Sequence, residues 1–209
     1  MKINPRIILA LIFVPVAFVL AFAPAKTNRP FRLTASELLD EVNSSVQYKY
    51  PDEIADRLIQ QDPYLMLIDV RSPEEFEKFS LPGAINIPLP QLLADDNLAI
   101  LSQQDYEHVF YSNGTVTAAE AWMITRQLGY ENNFVMMGGL NYWAEVIMNP
   151  EKPASTSPND EVAKYDFRKG ASMVLGGGAE ATGQQTIINA PKPPVAAKSG
   201  AKKRVSGGC

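Results

Sequence analysis

The chain has 209 residues, 46% hydrophobic and 20% charged, enough for one globular domain with extensions. A single cysteine, Cys209, and a single histidine, His108, exclude an intrachain disulfide and a cysteine- or histidine-rich metal centre, and no metal or cofactor is expected. The formal charge of −4 joins unlike parts: residues 1–32 and 189–209 each hold five basic and no acidic residues, leaving nine basic against 23 acidic in residues 33–188. An acidic middle repels nucleic acid, which is bound through a basic footprint, while the basic ends suit anionic lipid or the acidic middle itself.

Ile7 to Ala23 is apolar throughout except for Pro15, with Lys2 and Arg6 before it and Pro24, Ala25 and Lys26 after it. That length lies at the lower edge for crossing a bilayer and above a usual signal-peptide apolar region. Residues 1–32 therefore read as a signal anchor, with a cleaved signal peptide as the alternative; Pro24 spoils cleavage after Ala23, and no cysteine follows for lipoprotein processing. Flanking charge does not orient the segment. The short amino-terminal flank with a long domain behind it places that domain outside the cytoplasm, in a periplasmic setting.

Residues 33–150 read as the domain, opening with a helical extension. Tyr50 to Gln61 is helical with Pro51 at its start, and Leu65-Met-Leu-Ile-Asp-Val70 is a buried strand. Ser72-Pro-Glu-Glu75 then opens a helix, with Ser72 as N-cap, Pro73 at the first position and Glu75 closing a capping box. A strand at Ala84–Ile87 follows the turn Leu81-Pro-Gly83. His108–Tyr111 and Asn133–Met137 are further strands, with a helix from Thr117 to Leu128 stopped by Gly129 between them and another from Leu140 to Ile147 after Gly138-Gly139. Strands alternating with helices predict an α/β fold, a parallel sheet covered on both faces. Residues 151–209 read as a linker and a flexible basic tail; from Ala171 to Cys209 they are rich in Gly, Ala, Pro and Lys, a composition that predicts disorder.

Function in such a sheet concentrates where strands end and helices begin. Ser112-Asn-Gly-Thr-Val-Thr117 is such a place, and its backbone N–H groups with those of the next helical turn form an anion-binding concavity. Asp69 and Arg71 are expected to support the adjoining strand end as a carboxylate pair, and Trp143 to serve as core or pocket wall. Met136 and Met137 read as strand core, and Glu74, Glu75 and Glu77 as a solvated helix face.

Asp69-Val-Arg71 with Ser72-Pro-Glu-Glu-Phe76, Leu81-Pro-Gly-Ala-Ile-Asn-Ile-Pro88, Gly129-Tyr130 and Gly138-Gly-Leu-Asn-Tyr-Trp143 resemble, in order and spacing, the signatures of the rhodanese-like (sulfurtransferase) domain. The resemblance spans about residues 46–150 and implies a five-stranded parallel sheet with helices on both faces. It further implies that an active-site loop begins after Tyr111, where active members carry a persulfide-forming cysteine, often with an arginine in the loop. Here the position is Ser112 and the loop holds no cation.

A serine hydroxyl stays protonated and forms no stable carrier bond to sulfur, unlike a thiol of pKa near 8.5. His108, four residues earlier on the same strand, lies about 13 Å away at strand rise, beyond the reach of a general base; it reads as a strand-edge side chain. Three functions compete. The first is a membrane-tethered module whose loop, Ser112, Asn113, Gly114, Thr115, Val116 and Thr117, binds a small sulfur-containing anion or a partner. The second is a persulfide carrier that uses Cys209, beside Lys202, Lys203 and Arg204, with a membrane sulfur-uptake protein as its expected partner. The third, a phosphate-binding pseudophosphatase, ranks lowest.

Overall fold

The computed structural model describes residues 32–176. Helix α1 (Ala35–Ser44) starts at a reciprocal capping box: the Thr34 hydroxyl accepts from the Glu37 N–H, and the Glu37 carboxylate accepts from the Thr34 N–H at 2.7 Å. Strand β1 (Tyr48–Lys49) leads into α2 (Pro51–Ile59), which has proline where the missing N–H costs nothing and Asp52 and Glu53 against the positive end of the helix dipole. Strand β2 (Leu65–Asp69) is followed by α3 (Pro73–Lys78), whose Ser72–Glu75 capping box is present as the sequence predicts. Then come β3 (Ile85–Asn86), a 3₁₀ turn at Leu89–Gln91, α4 (Asp95–Leu101), β4 (Glu107–Tyr111), α5 (Val116–Gln127) and β5 (Asn133–Met136). Helix α6 (Gly139–Trp143) runs into a π-helical turn at Ala144–Met148, and α7 (Asn159–Leu175) closes the described chain.

The five strands form one parallel sheet in the order β1-β5-β4-β2-β3. Alternation along β4, the middle strand, divides the core into two layers. Val109 and Tyr111 pack with Leu67, Met136, Trp143 and Ile147 under α2, α6 and α7. Phe110 packs with Met66, Ile68, Val135 and Trp122 under α4 and α5. Burial on both faces is why the middles of β2, β4 and β5 are apolar at consecutive positions instead of alternating with polar residues.

Three readings need correction. Disorder from Ala171 does not hold for Ala171–Leu175, which form the last turns of α7. Ala171 and Ser172 are buried there, Ser172 Oγ donates to Met148 O at 3.0 Å, and Arg168 grips Asp52 through two bonds of 2.6 and 2.8 Å. Small residues that resemble linker composition are here what lets a helix lie close to the core, so part of the segment assigned as linker belongs to the domain. His108 is not at a strand edge: it is fully buried on the middle strand. Burial lowers its pKa, an effect partly offset by Asn133 and by the backbone of Ile100 and Asn132. Met137 is only half-buried, whereas Met136 is in the core. The apolar segment Ile7–Ala23 and Cys209 lie outside the described residues, among which no helix is long and apolar enough to cross a membrane.

Candidate functional site

Strand β4 ends at the buried Tyr111, whose hydroxyl accepts a hydrogen bond from Leu81 N–H at 3.2 Å. Burial, reinforced by the charge of Asp69, raises its pKa, so the phenol stays protonated. The chain then turns through Ser112 to Thr115 and enters α5 at Val116. What shapes this loop is the glycine pair ahead of α6. Gly138 and Gly139 have φ of +74° and +60°, and a Cβ on Gly139 would meet the carbonyl oxygens of Ser112 and Gly114 at 2.5 and 2.7 Å. Only glycine accepts both that backbone conformation and so close an approach.

The loop carbonyls are consequently occupied. Ser112 O accepts from Leu140 N at 2.8 Å and Asn113 O from Asn141 N at 2.9 Å. Gly114 O accepts from the Ser112 hydroxyl at 2.8 Å, and the Thr115 hydroxyl accepts from Gly138 N at 2.9 Å. The N–H groups of Asn113, Gly114, Thr115 and Val116 meet no acceptor among the described residues. With the carbonyls held on the α6 side, Asn113, Gly114 and Val116 border a cleft of about 420 Å³ whose other lining residues include Arg71, Ser72, Glu75, Leu89, Pro90, Ser112 and Thr117.

A cation does reach this loop, from a distant part of the chain. Arg71 Nη1 donates to Asn113 Oδ1 at 3.1 Å, and its Nη2 donates to Phe79 O at 2.6 Å and to the fully buried Asp69 carboxylate at 2.6 Å. Asp69 Oδ1 also accepts from the Arg71 backbone N–H and Nε at 2.9 and 3.0 Å. Burial pulls the Arg71 pKa down, but the hydrogen bonds and charge of Asp69 outweigh it and leave the pKa above the ordinary arginine value. The guanidinium therefore stays charged, and four of its five N–H groups are engaged within the protein. Asn113 Nδ2 donates to Glu75 Oε1 at 2.7 Å, and this bond, with the one from the Ser72 N–H, lowers the Glu75 pKa. One neutralised Asp–Arg pair plus an ionised glutamate leave the cleft with an excess of negative charge.

Of the residues singled out from sequence, Ser112, Asn113, Gly114, Val116, Thr117 and Arg71 gather at the cleft. Asp69 lies beneath Arg71, and Thr115 stands behind the loop, holding Gly138. Trp143 is not among the lining residues; at 1% exposure it belongs to the core under α6. Glu75 closes the capping box as the sequence predicts, but it is also a cleft wall and not simply solvated helix face. Leu89 and Pro90, which complete the opposite wall, carry no local signal. Among the described residues, the Ser112 side chain hydrogen-bonds only to Gly114 O, and no carboxylate or imidazole is positioned to take its proton.

Sheet order, motif order and loop geometry together define a domain of the sulfurtransferase-like α/β class. The chain belongs to the rhodanese-like domain family, whose model matches residues 50–146. It is 30% identical over 111 residues to the thiosulfate:glutathione sulfurtransferase of Saccharomyces cerevisiae, covering 48% of this chain and 79% of that protein. It is also 33% identical over 122 residues to an adenylyltransferase and sulfurtransferase of Lodderomyces elongisporus, where the match covers 52% of this chain but only 26% of that much longer relative. Among solved structures, the thiosulfate sulfurtransferase of Pseudomonas aeruginosa aligns with 26% identity and a TM-score of 0.42, over 47% of this chain and 18% of that one.

Proposed function

We propose that this rhodanese-like domain does not transfer sulfur at its loop and uses it as a binding cradle, with Ile7–Ala23 as a membrane tether. The observation that carries the reading is the state of Ser112. It stands where the resemblance calls for a persulfide-forming cysteine, and its hydroxyl donates to Gly114 O with no base in reach among the described residues. The unmatched loop N–H groups supply donors for an incoming acceptor. The nearest cation is bound to Asp69, and Glu75 adds a negative charge at the wall.

This balance disfavours a small sulfur-containing anion and favours a group with an acceptor for the loop and a donor or positive charge for Glu75. A segment of a partner protein offers both. Tethered at a membrane and facing the periplasm, the domain would meet such a partner among membrane proteins, a sulfur-uptake protein included.

The test is sulfur transfer from thiosulfate to cyanide by the full chain and by its Cys209→Ser variant. No turnover above the uncatalysed rate is expected from Cys209→Ser. Turnover that survives Cys209→Ser and disappears in Ser112→Ala would overturn the proposal.

A further inference from the structure

Three features of the cleft beside the Ser112 loop are left without a partner. Asn113, Gly114 and Val116 border it with unmatched backbone N–H groups. Glu75 stands ionised on its wall. Val116, 73% exposed, adds apolar surface together with Leu89 and Pro90. Glu120, one turn beyond Val116 on α5, is exposed and extends the acidic side. Glu41 holds Arg126 and Asp52 holds Arg168, but among the described residues neither Glu75 nor Glu120 forms an ion pair. An occupant that meets all three needs has a cation for Glu75, backbone carbonyls for the loop N–H groups and an apolar residue next to the cation.

The chain carries such a segment. Residues 189–209 hold five basic and no acidic residues, and Lys202, Lys203 and Arg204 are followed directly by Val205. These positions lie outside the described residues, but the length of chain that joins them to the domain is known. Helix α7 is capped at Gly176, and Lys202 is 26 positions further on. A chain of that length and of Gly-, Ala- and Pro-rich composition spans about 25–30 Å, against a radius of gyration of about 15 Å for a folded unit of this size. The segment therefore reaches the cleft without leaving the molecule.

We infer that residues 202–205 of this chain are the cleft's own occupant, which a partner segment must displace; the inference rests on the reading of the loop as a binding cradle. A cation of Lys202, Lys203 or Arg204 pairs with Glu75, carbonyls of the segment accept from the loop N–H groups, and Val205 packs on Val116. Tethering makes weak contacts sufficient: the effective concentration of a segment joined by a short linker is on the order of 1 mM, so an affinity of about 1 mM fills half the sites. A partner present at about 1 μM takes the cleft only if it binds roughly a thousandfold more tightly than the segment does. The chain's own segment thus sets the affinity below which foreign basic segments are refused.

Cys209 is the only cysteine, so a single nitroxide spin label placed there reports where the segment goes. In the isotopically labelled full chain it should broaden the backbone amides of residues 74, 75 and 113–116 and leave those of α1 sharp. Replacing Lys202, Lys203 and Arg204 together by glutamine should cut the broadening at least threefold. Glu75→Gln should do the same, and the helix start survives it because glutamine closes a capping box as glutamate does. A peptide of residues 199–206 should bind the chain with the three glutamines at least twofold more tightly than the parent, whose cleft is already filled. The inference is overturned if the label broadens the loop no more than α1, or if Glu75→Gln leaves the broadening unchanged. Equal broadening of an isotopically labelled copy by a spin-labelled copy mixed with it would also overturn it, by assigning the contact to a second molecule. A peptide that shifts residues 113–116 when Cys209 broadens nothing would leave the cradle standing and overturn the tethered occupant alone.

Discussion

Removing the Arg71 guanidinium tests whether the ion pair under the loop is what holds the cleft together. The pair is almost dry, with side-chain exposures of 8% for Arg71 and 0% for Asp69. Arg71→Met keeps the length of the side chain and removes both guanidinium donors to Asp69, leaving the Arg71 backbone N–H and the Tyr111 phenol, while Asn113 and Phe79 O each lose a partner. Stranding a buried charge in this way costs about 3–5 kcal/mol, roughly a 10 °C fall in Tm for a domain of this size. Removing both charges is a different matter: Asp69→Leu with Arg71→Met replaces a desolvated pair with apolar contacts and should fall within about 2 kcal/mol of the parent. Urea unfolding of the parent, the two single variants and the double variant, at constant m-value, completes the cycle. A loss below about 1 kcal/mol for Arg71→Met, the range of exposed pairs, or a double variant as unstable as the sum of the singles, would refute the reasoning.

Other expectations follow from the same geometry. Gly139→Ala should destabilise the domain by about 2 kcal/mol or more from the left-handed backbone alone and displace the loop its Cβ would strike, seen as chemical-shift changes at Ser112–Gly114; unchanged shifts there would contradict the close approach. Ser112→Cys should give measurable but weak transfer of sulfur from thiosulfate, because the new thiol gains no free cation while Arg71 remains bound to Asp69; transfer at rates equal to those of active relatives would show that a free cation is not needed. The neutral, buried His108 binds fewer protons when folded than when unfolded, so stability should fall as pH drops below about 6.5, by up to about 1.4 kcal/mol per pH unit. That slope should be absent from His108→Leu between pH 5 and 6.5, as measured by urea midpoints. Arg168→Ala should leave α7 tied to Asp52 only through the longer Lys164 pair at 3.6 Å, raising hydrogen exchange in Asn159–Leu175 while β4 stays protected.

Local chemistry was the legible part of the fold. Ser72, Pro73 and Glu75 announce the start of α3 because a capping box is closed within four residues, and the apolar runs at β2, β4 and β5 announce strands because burial on both faces keeps their middles apolar, with the buried polar residues Asp69, His108 and Asn133 confined to positions near the ends. Strand β1 has two residues and exists only through its pairing with β5, more than eighty positions later, so no local pattern could reveal it. The same holds at the cleft. The loop was visible as a strand-to-helix junction, but Arg71 meets Asn113 across 42 positions and Glu75 meets it across 38. Helix α7 was missed because glycine and alanine signal flexibility in a free chain and close packing in a docked helix, and only the surface it meets tells these apart.

The placement of β1 also sets an order of events during synthesis. Strands β2, β3 and β4 are neighbours in the sheet and emerge in succession, so they can pair while the chain is still being made. Strand β1 emerges before any of them, yet its only partner is β5. Helices α1 and α2 must therefore wait beside a half-built sheet, and one layer of the core stays open until α7 arrives to cover it. A ribosome pausing before Leu175 would expose Trp143, Ile147 and their neighbours to chaperones, making the last helix the step that commits this domain to its folded state.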